Sequence, residues 1–256
     1  MITLARRGAL ALVPVLLLAA CSDSGTGPVS QLDQQVNLDV ANYVTDMTAD
    51  DMTMMAVSAG LFMGAPQASP PHGFSDLSIS RQVTFYGESG NEQDYFSPDT
   101  TASIHFLFDM TGSYTRAVDS GTVEVNVERH RDMTLSGLLG QETERTWNGT
   151  GSSAKSRVRH SDANGDRSYD MSSSTAVDNV VVPVPRTWDG WPLSGTITRT
   201  VHVTLVDEQG ETTLRDREVV ITFNGTQYVT MTVNGEEFEV DLARWGCHRK
   251  GDGHHR

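Results

Sequence analysis

The chain has 256 residues, with 19 Lys and Arg against 33 Asp and Glu and a formal charge of −14. That balance excludes nucleic acid as a partner, because phosphate binding needs clustered cations. The length exceeds the usual ~100 to 200 residues of one domain, so one large all-β domain or two smaller units fit, and two cysteines cannot build a disulfide framework.

Arg6 and Arg7 precede an apolar run from Ala9 to Leu18, and Leu18-Ala19-Ala20-Cys21 closes it. The run is about half of the ~20 residues that a membrane-crossing helix needs, so it reads as the core of an export signal. The closing string resembles the lipobox of bacterial lipoproteins, a resemblance confined to this end of the chain. It implies that residues 1–20 are a signal peptide removed before Cys21, and that Cys21 becomes an acylated N-terminus. At ~0.8 kcal/mol per buried methylene, several acyl chains anchor a protein stably. In that family, aspartate after the cysteine favours the inner membrane; Ser22 stands there, which implies the outer membrane. Acylation of Cys21 would leave Cys247 without an intrachain partner. Loss of Arg6 and Arg7 makes the mature chain still more acidic, which opposes adsorption to anionic lipid and leaves the acyl chains as the membrane attachment. Residues 21–30, polar and glycine-containing, form a flexible tether.

Ser30-Gln31-Leu32-Asp33 matches the pattern that opens helices. Leu32, Val36, Val40, Tyr43, Val44 and Met47 then recur every three or four residues, the mark of one apolar stripe. Thr48-Ala49-Asp50-Asp51 repeats the capping pattern ahead of a methionine-rich stretch. Residues 31–63 are therefore an amphipathic helical segment, as two pieces or one kinked helix over about 31–62. The methionines are flexible core filler or an adaptable apolar groove.

Residues 64–76, with three prolines and two glycines, form a linker. Beyond it the period falls to two. Ile79, Arg81, Val83 and Phe85 share a face; Ala102, Ile104, Phe106 and Phe108 share another; and Val123, Val125 and Val127 alternate with polar residues. Further strands are expected at 133–139, 142–148, 154–160, 167–173, 177–184, 195–206, 212–223, 227–233 and 236–242. Asn164-Gly165, Asn224-Gly225 and Asn234-Gly235 supply hairpin turns, and Asn148-Gly149 is a fourth candidate. Residues 77–246 are thus expected to form an antiparallel β domain. Its architecture is a curved meander or partial barrel with the N-terminal helix on its apolar face; a two-sheet sandwich is the alternative.

The chain lacks a nucleophile elbow, a His-Glu-x-x-His zinc motif and a phosphate-binding loop. His130-Arg131-Asp132 spells the start of a kinase catalytic loop without the rest of that signature. Asp162 to Asp166 opens like a calcium loop, but Arg167 stands where Gly is needed and Ser173 where Glu is needed. Glu237, Glu239 and Asp241 share a strand face, as do Glu124 and Glu128, which reads as a wet side. His72, His105, His160 and His202 carry no local partner pattern. The polar tail, residues 247–256, holds Cys247, His248, His254 and His255, ligand types suited to zinc or copper, in the irregular spacing of a frayed end. Trp188 and Trp191 sit among prolines on a stiff loop able to stack on sugar rings or touch a partner, or to fold back and plug the sheet.

The reading that follows is a lipid-anchored cell-envelope protein whose β domain is a non-catalytic binding or structural module. No cofactor is called for; the partners are the membrane and an envelope protein, a glycan or an apolar ligand. The alternatives are an envelope enzyme whose site assembles only in the fold, recognisable by His105, His130 or His202 clustering with carboxylates, and a carrier of an apolar molecule between sheet and helix.

Overall fold

The computed structural model describes residues 31–61, 76–118, 121–140, 142–161, 167–184, 191–207, 209–243 and 246–249. Helix α1 (Gln31–Leu61) is followed by β1 (Asp76–Gly87), β2 (Glu92–Gln93), β3 (Thr101–Val118), β4 (Gly121–Ser136), β5 (Glu144–Ser161) and β6 (Arg167–Pro183). Then come β7 (Ser194–Val206), β8 (Thr212–Thr222), β9 (Tyr228–Val233), β10 (Glu236–Asp241) and β11 (Gly246–Arg249). All pair antiparallel in one sheet, ordered β11-β10-β9-β8-β7-β6-β5-β4-β3-β1-β2. Strand order thus follows chain order except at β1 and β2. The sheet is a curved, open meander, and α1 packs on its apolar face; a second sheet, as a sandwich would require, is not found among the described residues.

The helix is one piece of 31 residues. Val36, Val40, Val44, Met47, Met52 and Met55 are buried along one side, and at ~1.5 to 3 kcal/mol each this stripe supplies the gross adhesion that seats α1. Opposite it lie Met133 and Leu135 of β4, Trp147 of β5, Ile197 and Val201 of β7, Val219 and Ile221 of β8, Met231 of β9 and Phe238 of β10. Thr48-Ala49-Asp50-Asp51 is no cap. It lies mid-helix, with Thr48 and Asp51 fully buried, because both fall on the stripe that faces the sheet.

Several expected strands merge into longer ones. Segments 122–128 and 133–139 are one strand, β4; 142–148 and 154–160 are β5; and 167–173 and 177–184 are β6. Asn148-Gly149 is therefore not a turn but a local shift of register between β5 and β6, and Asn179, at φ 49°, marks a second between β6 and β7. Such bulges bend long strands without ending them. Asn234 (φ 47°) and Gly235 (φ 83°) do turn β9 into β10. Asn224-Gly225 lies in a longer connection, where the Asn224 side chain accepts the Thr226 N–H at 3.0 Å. Asn164-Gly165 falls outside the described residues, as does the linker apart from its last residue, Asp76.

Candidate functional site

Strand side chains alternate between two faces, and the register divides the charges between them. Every strand Lys or Arg with a described side chain, from Arg81 on β1 to Arg217 on β8, takes the helix side of the sheet. The strand Asp and Glu take the outer side. The exception among the described residues is Glu236, whose Oε2 accepts a 2.7 Å bond from Asn37 of α1.

Beneath α1 the cations meet the helix carboxylates. Arg131 Nε donates to Asp51 Oδ1 at 2.8 Å, and Arg199 Nη2 donates to Asp51 Oδ2 at 2.5 Å. All three side chains are at most 1 % exposed. Arg131 also donates to the His130 and Ser152 carbonyls, and Arg199 to Thr175 Oγ1. Arg129 pairs with Asp50 at 2.7 Å, Lys155 lies 3.5 Å from Asp46, and Arg215 and Arg217 converge on Asp33. Burial alone would push the Asp51 carboxyl up, but the guanidiniums of Arg131, Arg199 and Arg129 outweigh it and hold Asp51 well below the ordinary carboxylate range. Burial raises the Tyr43 phenol, whose oxygen lies 3.5 Å from Ser173 Oγ. Among the described residues, apolar side chains and these ion pairs from both elements thus meet between helix and sheet.

The outer face is the accessible one. Cross-strand pairing forms a row Asp109–His130–Ser152–Ser174 over β3 to β6, and a neighbouring row Glu128–Ala154–Ser172–His202–Asp216 over β4 to β8. His130 Nδ1 lies 2.7 Å from Asp109 Oδ1, His202 Nδ1 lies 2.6 Å from Asp216 Oδ1, and His105 Nε2 lies 2.7 Å from Asp132 Oδ1. An ionised carboxylate only accepts, so each imidazole donates, and for His130 and His202 the Nε2 atom is left to face other groups. Two hollows of about 570 and 400 Å³ open on this face and share Thr111, Glu128, Ala154, Ser172 and His202. Their floor is low because β5 and β6 carry Ser and Ala there.

His130 and His202 therefore border one hollow together with Asp109 and Glu128, a grouping that local sequence does not announce. Ser172, His202 and Asp216 stand in cross-strand order, but the main-chain N–H groups of an interior strand are committed to the ladder. Those of β6 beside Ser172 are therefore not free to bind an oxyanion, and His202 and Asp216 are 60 % and 78 % exposed. The arrangement is suited to polar recognition more than to acyl transfer.

Of the residues singled out from sequence, Trp191 is half-buried and packs against the main core. Cys247 and His248 fall on β11, where their backbones pair with Val240 and Glu239. Cys21, Trp188, His254 and His255 lie outside the described residues. Glu237, Glu239 and Asp241 are on the outer face of β10, as are Glu124 and Glu128 on β4. Among the described residues no three His, Cys, Asp or Glu side chains converge as metal ligands. No protein-family model, curated protein or solved structure matches this chain.

Proposed function

We propose that this chain is a lipid-anchored bacterial cell-envelope protein, held at the outer membrane by acyl chains on Cys21, whose β domain is a non-catalytic binding module. The observation that carries the anchor is Leu18-Ala19-Ala20-Cys21 directly after a short apolar run with a basic start. No helix among the described residues is long and apolar enough to cross a membrane, which is compatible with attachment by lipid. What supports the binding role is the outer face, where polar side chains surround two connected hollows. Mass spectrometry of the N-terminal peptide from a diderm bacterial host tests the anchor: a triacylated or diacylated Cys21 is expected, and an unmodified thiol or a retained leader would overturn it.

The grouping of His130, His202 and Ser172 favours one second reading, an envelope hydrolase with its site assembled by the fold. A fluorophosphonate probe separates the two. No labelling is expected; labelling at Ser172 that vanishes in His202→Ala would replace the binding reading with the enzymatic one.

A further inference from the structure

The outer face carries carboxylates from β1 to β10 and, among the described side chains, no strand Lys or Arg to balance them. The cations that would normally intersperse with them have gone through the sheet to hold α1. A face on which strand carboxylates meet no strand cation is complementary in charge to a partner of opposite sign.

Within that face the hollows give the partner a shape. They run across β3 to β7, four inter-strand spacings of ~4.8 Å, or roughly 19 Å, the length of about six residues of extended chain. Their floor of Ala154, Ser156 and Ser172 admits a main chain closely. Glu128 on β4 and Asp170 on β6 stand on either side of β5 and two residues out of level along the strands, roughly 12 Å apart by strand spacing and rise. Neither has an ion-pair partner among the described residues, whereas Asp109 and Asp216 are each engaged by a histidine. Carboxylates spread this far apart do not converge on a point cation. Two long cationic side chains from one extended segment do span that distance.

We infer that the outer face of β3 to β7 is a docking surface for an extended, Lys- or Arg-bearing segment of a partner polypeptide, with Glu128 and Asp170 as its principal anchors. This deepens the binding-module reading and rests on it, but it does not depend on acylation of Cys21.

The test is titration of the isotope-labelled full chain, in detergent micelles, with the hexapeptide Lys-Ser-Lys-Ser-Lys-Ser, followed by amide chemical shifts. The expected result is salt-sensitive binding with shifts confined to the outer face around Thr111, Ala154 and Ser172. The dissociation constant should rise about tenfold in the double variant Glu128→Gln, Asp170→Asn. It should rise less than about twofold in Asp99→Asn, Glu211→Gln, which removes the same charge from exposed loops. Unperturbed amides elsewhere establish that each variant is folded. Absence of binding, equal weakening in both double variants, or spermine or calcium chloride binding the same amides as tightly as the peptide would each overturn the inference. Fluorophosphonate labelling of Ser172 would replace the non-catalytic reading without changing the peptide titration, and a failed titration would leave Ser172 unlabelled, so the two failures are distinguishable.

Discussion

Asp51 is the residue on which the helix side of the sheet converges. It reaches both Arg131 and Arg199 in a fully buried setting, and removing one partner of such a cluster leaves charge without compensation. Asp51→Asn should therefore lose about 3 to 5 kcal/mol in urea unfolding. The acid response follows from the same group. Its folded pKa lies below the ordinary 3.8, so its contribution is complete above the carboxylate range and is lost as pH falls through that range toward the folded value. Wild type should lose stability more steeply below about pH 4 than Asp51→Asn, which keeps the Asp50 and Asp33 pairs, and parallel pH profiles would contradict this assignment. Gly151 is coupled to the same cluster: a Cβ there would meet Arg131 Cδ at 2.7 Å and the His130 carbonyl oxygen at 2.6 Å. Gly151→Ala should cost about 1 to 3 kcal/mol, read by the same unfolding experiment.

At the scale of elements, α1 adheres through its apolar stripe, while the ion pairs fix where along the sheet it sits. Apolar contact tolerates sliding; the fork of Asp51 between β4 and β7 does not. Replacing the whole cluster by Asp51→Leu, Arg131→Met and Arg199→Met should hold or raise stability by up to about 4 kcal/mol, because desolvation of the charges offsets much of their attraction. A large loss in that triple variant would mean that the ion pairs themselves hold the helix down. The β9–β10 hairpin isolates a different cost. Gly235 has φ 83°, and a Cβ there would have no neighbour within 4 Å, so Gly235→Ala changes only backbone preference. About 1 kcal/mol of destabilisation is expected in the same urea experiment. The helix and this hairpin were both legible in sequence, since each follows from a local period or a turn dipeptide. The lengths of β4, β5 and β6 were not, because bulges carry long strands past residues that resemble turns.

For the molecule as a whole, the proposed anchor at Cys21 and the outer face are separable. Cys21→Ser should move the protein from the membrane fraction to the soluble fraction, with the folded domain's thermal unfolding unchanged; continued membrane association would place the attachment elsewhere. The division of charge across the sheet had a signal in the sequence. The apolar parity of β4 runs Val123, Val125, Val127, Arg129, Arg131, Met133 and Leu135, so two arginines occupy positions that alternation assigns to the dry side. Their partners sit some 80 residues earlier on α1, beyond the reach of any local pattern. The sequence by itself determined the helix and the antiparallel meander, because each depends on neighbours within a few residues. Only the tertiary structure decided that Asp51 lies between Arg131 and Arg199, and that Glu128, Asp170 and His202 share one hollow, because strand register brings together residues whose separation along the chain carries no information about their distance in space.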